Sequence, residues 1–516
     1  MVSNTKEEAT TTAPNKKWHN ISKAALKQTM LSMAVSLGYF CIGMVRGYSA
    51  PAMPSMQDLN PGLLPNQNIV SWASSIPPFG AFLGSLVSAP LMHKIGRKYT
   101  VMITSPLWVI SWVLVATAEF WQQIVAGRYL MGFCAGLALP AVSVYVSECS
   151  DPAIRGVIGS FPGLAMSFGI LVTYTMGTFL DWKLLAWVCS VISSFLFFAT
   201  CFMPKSPAWL KTKNRFDEAK QSCDWLHLSG FSLEQPTEVS KDKFISYKAL
   251  FSRACLMPLG IGLGLLIIQQ VSGIDAVVFF TVEIFRAAGS TLNSYYATII
   301  VGAVQLLSNF SALFVVDKAG RKPLLVLSAI IMSGSMCSMG IAFHLKDNGI
   351  TSFGYLPLIS LIIFMIGFSI GFGTIPFLLM GELFPVKQRS VLSSLAGSLN
   401  LLIMFLVIVS YHPVADLITT AGTFWMYSIF CALGVFFVIF LVPETKGEDL
   451  DSIANKFIRR LSRRFSRKAS MNLAHATPIA YLEGEEGGGG YTNKGMSGDD
   501  DGNKKDADVE GDGGGE

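Results

Sequence analysis

The chain is a succession of long apolar runs separated by short polar stops. Runs of about 20 residues, the length a helix needs to cross a hydrocarbon core, fall near 29–50, 69–92, 99–118, 121–147, 156–180 and 183–203. A second set follows near 254–275, 295–316, 323–344, 355–381, 390–411 and 420–442. The pattern predicts an all-α integral membrane protein with about twelve transmembrane helices in two six-helix bundles. Pro77-Pro78, Pro162-Gly163 and the stretch from Gly371-Phe372-Gly373 to Pro376 interrupt the runs. Such breaks are tolerated where backbone faces protein or a cavity.

The stops set the orientation. One series carries Lys16, Lys17, Lys23 and Lys27, then Lys94, Arg97 and Lys98, then Arg155, then Lys318, Arg321 and Lys322, then Lys387 and Arg389, whereas the alternate series has only Lys183, Arg286 and Lys346. The excess of cations marks the cytoplasmic side, so both termini are expected inside. A polar segment precedes the first run, so no cleaved signal peptide is read there. The expected divisions are a cytoplasmic tail over 1–27, an amino-terminal bundle over 28–203, a cytoplasmic helical linker over 204–253 and a carboxyl-terminal bundle over 254–445. A basic amphipathic helix over 446–482, suited to anionic lipid, and an acidic Gly-rich tail over 483–516, too polar to fold, complete the chain.

Composition agrees: 51% of the 516 residues are hydrophobic and 14% charged, so length is not read as a count of soluble domains. The net charge of +5 reflects the basic stops and implies no nucleic acid. Nine cysteines lie mostly inside the runs without paired spacing, which suits small apolar residues and not a disulfide or metal framework. No cofactor is expected, and no cluster of nucleophile, base and orienting group supports an enzyme.

The stretch Gln269-Gln270-Val271-Ser272-Gly273-Ile274-Asp275 stands out because two amides, a hydroxyl and a carboxyl sit inside an apolar run. Polar groups at that depth need partners in the protein or in a cavity. Amides and hydroxyls both donate and accept, which suits a polyhydroxy ligand. Bonding to neighbouring helices is the equal alternative. Gly273 would let the helix loosen midway, as in the broken helices of transporters. Arg46 lies deep in the first run or near its outer end, and snorkelling to the interface is preferred to lining a cavity.

Three features recur between the two sets of six. His93-Lys94-Ile95-Gly96-Arg97-Lys98 is matched by Asp317-Lys318-Ala319-Gly320-Arg321-Lys322. Glu148 precedes Arg155 by seven residues, as Glu382 precedes Arg389, with Pro152 and Pro385 between. Pro204-Lys205-Ser206-Pro207 and Pro443-Glu444-Thr445-Lys446-Gly447 close the two sets. The matched set reads as an inner gate of Arg97, Glu148, Arg155, Asp317, Arg321, Glu382, Arg389 and Glu444 that biases the rocking of two repeats about a ligand.

These motifs, with Arg128 and Gly132, Tyr145-Val146-Ser147-Glu148, Gln269-Gln270-x-Ser272-Gly273 and Gly381-Glu382-Leu383-Phe384-Pro385, resemble the sugar porter family of the major facilitator superfamily over nearly all of the membrane-embedded chain. Within it, Gly47-Tyr48-Ser49-Ala50-Pro51 and Gly422-Thr423-Phe424-Trp425 are similar to insect trehalose transporter-like proteins. The resemblance implies a major facilitator fold. It also implies a site in which Gln269 and Gln270 hold sugar hydroxyls, Asp275 fills the slot of a usual Asn, Gln305 and Asn400 face the ligand, Phe377 stands where many members place Trp, and Phe279 and Phe280 close the site from outside. Gly163 replaces a frequent Gln, which widens the cavity toward a disaccharide.

Departures from the family pattern are His93 for Asp, Lys205 for Glu and Ala208 for Arg, so the amino-terminal half of the inner charge network is expected to be eroded. Ser49 stands where proton-coupled members often have Asp, which favours a uniporter, while Asp275 is the residue that would carry a proton otherwise. The expected function is passive transport of a sugar, hexose or trehalose, by a multi-pass protein of the plasma membrane. The alternatives are a sugar receptor signalling through its tail and a proton symporter. The expected partners are a small-molecule sugar and the lipid bilayer, with the carboxyl-terminal tail a candidate docking segment for a cytoplasmic protein.

Overall fold

The computed structural model describes residues 14–228, 253–350, 352–385 and 388–446. Residues 1–13 of the expected amino-terminal tail, the expected basic helix beyond Lys446 and the acidic tail lie outside these residues. The regular structure of the described residues is helical: α1 (Pro14–Leu59), α2 (Gln67–Ile95), α3 (Arg97–Ala116), α4 (Trp121–Glu148), α5 (Arg155–Phe179), α6 (Trp182–Cys201), α7 (Pro207–Thr212), α8 (Phe216–Leu226), α9 (Arg253–Val271), α10 (Ile274–Ala288), α11 (Ser294–Ala319), α12 (Arg321–Asp347), α13 (Leu356–Ile370), α14 (Ile375–Leu383) and α15 (Arg389–Leu441).

Among the described residues, eleven helical stretches are long and apolar enough to span a membrane. The last, Val391–Leu441, has 51 residues and at 1.5 Å per residue would be about 77 Å long. That is two spans, and the chain turns between them at Thr419, whose φ of 69° and ψ of 161° leave the helical region. The protein is thus a multi-pass membrane protein of about twelve spans. Phe195, Phe198, Phe202, Leu433, Phe436 and Phe440 are exposed, which suits contact with acyl chains.

Two cores reflect the two sets of six. Trp108, Trp112, Tyr145 and Trp182 pack in the amino-terminal half, and Phe285, Phe364, Phe372 and Phe384 in the carboxyl-terminal half. Apolar attraction between helices is weak in lipid, so close backbone approach matters more. A Cβ at Gly132 on α4 would lie 1.9 Å from the Pro77 carbonyl oxygen of α2. Short polar caps start several helices: Asp181 accepts from Leu184 N at 3.2 Å, Asn293 from Tyr295 N at 2.9 Å and Ser206 from Trp209 N at 3.2 Å.

The seventh span is longer than its apolar window. The run expected to end at 275 continues to Ala288, because the chain breaks at Ser272-Gly273 and restarts as α10. Gly273 has φ 85°, and a Cβ there would lie 2.5 Å from the Tyr427 ring. Only glycine meets both demands. Arg286 therefore sits in the last turn of α10 and not in a loop. The tenth span is broken likewise, between α13 and α14, at the predicted Gly371–Pro376 stretch. Helices α7 and α8 follow the sixth span, within the stretch read as a helical linker. They are tied back by Trp209 Nε1 to the His93 carbonyl at 3.2 Å and by Gln28 Nε2 to the Leu226 carbonyl at 3.1 Å.

Candidate substrate-binding site

The break at Gly273 exposes polar side chains of the seventh span to three other elements. Gln269 donates through Nε2 to the Phe372 carbonyl at 2.6 Å, inside the break of the tenth span. Gln270 donates through Nε2 to Asn400 Oδ1 on α15 at 3.0 Å. Both glutamines are 4% exposed, and both Oε1 atoms are buried without a hydrogen-bond partner. An orphaned buried acceptor is costly, so two neighbouring ones are disposed to receive hydroxyl or amide donors.

Asp275 follows in the first turn of α10, and its buried carboxylate forms an ion pair with the half-buried Arg46 of α1. Snorkelling is therefore not what Arg46 does. It reaches across the interface between the two halves, because a carboxylate at its own depth is a better partner than distant water. Arg46 lies 13 residues before the end of the Ala24–Leu59 span and Asp275 13 before the end of Cys255–Ala288, each about 20 Å from that end. Two more contacts cross between the halves nearby: Tyr174 donates to the Val278 carbonyl and Asn309 Nδ2 to Ser167 Oγ, both at 2.7 Å.

The other expected residues divide. Phe279 and Phe280 are buried, and Phe280 stacks on Tyr411 with centroids 5.0 Å apart. Gln305 is buried on α11, with no hydrogen-bond partner among the described residues. Phe377, on α14, is not drawn into this cluster; it is 47% exposed and has no ring partner among the described residues. Gly163 has open space around it.

At the basic turns, Arg97 donates to Glu148 Oε1 at 2.8 Å and Arg321 to Glu382 Oε1 at 3.1 Å. The second carboxylate oxygens accept from the Ser206 and Thr445 hydroxyls respectively. The pairing within each Glu–x₆–Arg repeat is not made. Arg155 donates to the Ser150 carbonyl at 3.1 Å and Arg389 to the Phe384 carbonyl at 3.4 Å, since Arg97 and Arg321 already occupy the glutamates. Glu444 accepts from the backbone N–H groups of Arg321 and Lys322 at 3.0 Å and of Thr445 and Lys446 at 3.1 Å. Burial pushes its carboxyl up, but these donors outweigh that and hold it below the usual range. The side chain of Asp317 lies outside the described residues.

The sequence matches the sugar (and other) transporter family over residues 25–457. The chain belongs to that family. Among its relatives, the facilitated trehalose transporter Tret1 of Bombyx mori is 36% identical over 439 residues, covering 83% of this chain and 86% of that protein. Tret1 of Polypedilum vanderplanki is 35% identical, covering 86% of this chain and 90% of that one. Against Tret1 of Drosophila grimshawi, 36% identical, the chain spans about half the relative's length, 50%. The xylose transporter XylE of E. coli, in a partially occluded inward open conformation, superposes with a TM-score of 0.69 over 82% of this chain and 99% of its own, at 22% identity. That similarity fixes the major facilitator fold.

Three polar pairings of the described residues do not follow from the sequence pattern. Arg128 is fully buried and donates to the Ser49 hydroxyl and, at 2.7 Å, to the Ala73 carbonyl. Glu283 and His412 join α10 to α15 at 2.8 Å. Asp58 and Arg286 join α1 to α10 at 2.9 Å. Each involves an ionisable residue inside or at the edge of a span, and that alone was the signal available.

Proposed function

We propose that this transporter carries a sugar, a hexose or trehalose, passively across the plasma membrane by alternating access, with its basic turns facing the cytoplasm. The observation that carries the reading is the pair of buried, partnerless glutamine oxygens beside the Gly273 break. Hydroxyl groups of a sugar supply the donors those oxygens lack. Gln270 also contacts Asn400, so a ligand there engages two spans of the carboxyl half next to the Arg46–Asp275 seam.

Two features support uniport over proton symport. Asp275, the acid at the centre, is engaged by the Arg46 guanidinium of the other half. Arg128 meets a serine hydroxyl where an aspartate would provide a titratable partner. The trehalose transporter names of the relatives add trehalose to the substrates that merit testing.

Competition by glucose, fructose, trehalose and maltose against one labelled sugar, in vesicles holding the purified protein, tests the substrate class. Displacement by at least one of them supports the proposal, and indifference to all four contradicts it. Gln270→Ala should weaken sugar affinity by roughly ten- to a hundredfold if a buried hydrogen bond worth about 1.5–3 kcal/mol is lost. Unchanged affinity in a folded variant would return Gln270 to a purely structural role.

A further inference from the structure

The hydrogen bonds and ion pairs crossing between the two halves are distributed unevenly. At the basic turns, each ion pair among the described residues stays inside one half. Crossing contacts begin deeper, with Ser85 Oγ to Ser398 Oγ at 2.8 Å, and are densest toward the opposite, far end.

There α2 presents two polar side chains one turn apart. Gln67 Nε2 donates to Glu283 Oε1 of α10 at 2.8 Å, and Ser71 Oγ is 2.7 Å from His412 Nδ1 of α15. His412 Nε2 lies 2.8 Å from the same Glu283 Oε1. An ionised carboxylate only accepts, so Nε2–H points to Glu283, while Nδ1 and the Ser71 hydroxyl share the hydrogen bond on the other side of the ring. The result is a ring from Gln67 through Glu283 and His412 to Ser71, closed by the α2 turn that carries both ends, gripping two helices of one half from a single helix of the other.

The His412–Ser71 side of the ring is sheltered, while Gln67 is exposed and Glu283 partly so. His412 is buried, and Phe280 packs edge-on to it with centroids 4.7 Å apart while stacking on Tyr411. The neighbouring pair of Arg286 with Asp58 is far more exposed, and such pairs contribute little. Shelter and multiplicity place the holding strength in the His412 ring.

We infer that His412, with Glu283, Ser71 and Gln67, is the latch that keeps the two halves shut at the end opposite the basic turns, and so sets the balance between the two access states. The inference rests on the transport reading for its meaning. These are positioning residues: they touch no substrate and act through the angle between the halves.

The test is a distance measured between the halves at the far end. Spin labels at Leu59→Cys and Leu292→Cys, with exposed Cys201 and Cys337 replaced by serine, report opening by pulsed electron resonance in vesicles. His412→Ala and Glu283→Gln should each raise the open-to-closed ratio roughly fivefold or more, the yield of about 1 kcal/mol per lost hydrogen bond. Ser71→Ala, a milder change that keeps the imidazole, should move it in the same direction, and Asp58→Asn should move it least. Distributions unchanged in folded His412→Ala and Ser71→Ala would overturn the latch. A distance shift in a protein that moves no sugar would sustain the latch and defeat the transport reading, so the two failures are distinguishable.

Discussion

The two halves solve the same problem at their basic turns with different completeness. Gly96 and Gly320 turn the chain with φ of 91° and 89°, the following arginines clamp Glu148 and Glu382, and the next lysines reach the Cys201 and Ile439 carbonyls at 2.8 and 2.7 Å. Ser206 and Thr445 supply the matching hydroxyls. The halves part at the residue before those hydroxyls. Glu444 caps the amino terminus of α12 through two backbone N–H groups, where negative charge is favoured. Its counterpart Lys205 cannot accept, and turns instead to Glu218 at 3.0 Å and to the Tyr99 ring. The arginine–glutamate clamp thus survives without the carboxylate cap, so the erosion expected of the amino half touches the cap and spares the clamp.

The largest effect is expected where the halves meet. Arg46→Ala leaves Asp275 buried and unpaired, which should cost about 3–5 kcal/mol, seen as loss of folded protein on heating. The double variant Arg46→Gln with Asp275→Asn should recover most of that. A double variant as unstable as the single one would show that Arg46 contributes through packing alone.

Next come the clamps. Glu148→Gln and Glu382→Gln should lower stability by similar amounts, about 1.5–3 kcal/mol for a charged hydrogen bond. A much smaller loss for Glu148→Gln would mean that the amino-terminal clamp is weakened after all.

The caps separate the halves most clearly. Glu444→Ala should cost about 1–2 kcal/mol, and Lys205→Ala no more than about 1 kcal/mol. Lys205→Glu, which copies one half into the other, should stabilise by a few tenths to about 1 kcal/mol. Because the Glu444 carboxyl is held low when folded, its contribution is complete above the usual carboxylate range and is lost as pH falls through the lowered folded value. Native protein and Glu444→Gln should therefore converge in thermal stability in acid.

The smallest effect concerns the paired loops at the far end. The fifth and sixth spans are joined through Leu180 and the capping Asp181, while the eleventh and twelfth are joined at Thr419, strained at φ 69° but receiving Gly422 N at 3.2 Å. Thr419→Gly relieves a strain of about 1–3 kcal/mol and loses a weak cap, so the melting temperature should rise slightly. A fall would show that the cap outweighs the strain.

Much of this was legible in the chain because a membrane imposes one-dimensional rules. Apolar length gave the spans, and glycine inside apolar runs gave the breaks at Gly273 and Gly371. What local rules could not supply were tertiary partners. Arg46 looked like a residue that snorkels because its carboxylate lies 229 positions away. The seventh span seemed to end at 275 because Asp275, Glu283 and Arg286 dilute its hydropathy, although all three are satisfied across helices. Arg155 and Arg389 seemed matched to the nearest glutamates in sequence, whereas Arg97 and Arg321 were nearer in space.

The central claim is tested most directly by flux of labelled sugar into vesicles holding the purified protein, with and without an imposed proton gradient. The account predicts saturable uptake that runs down the sugar gradient, ignores the proton gradient and survives Asp275→Asn paired with Arg46→Gln. Sugar binding without flux, or accumulation driven by protons, would contradict it.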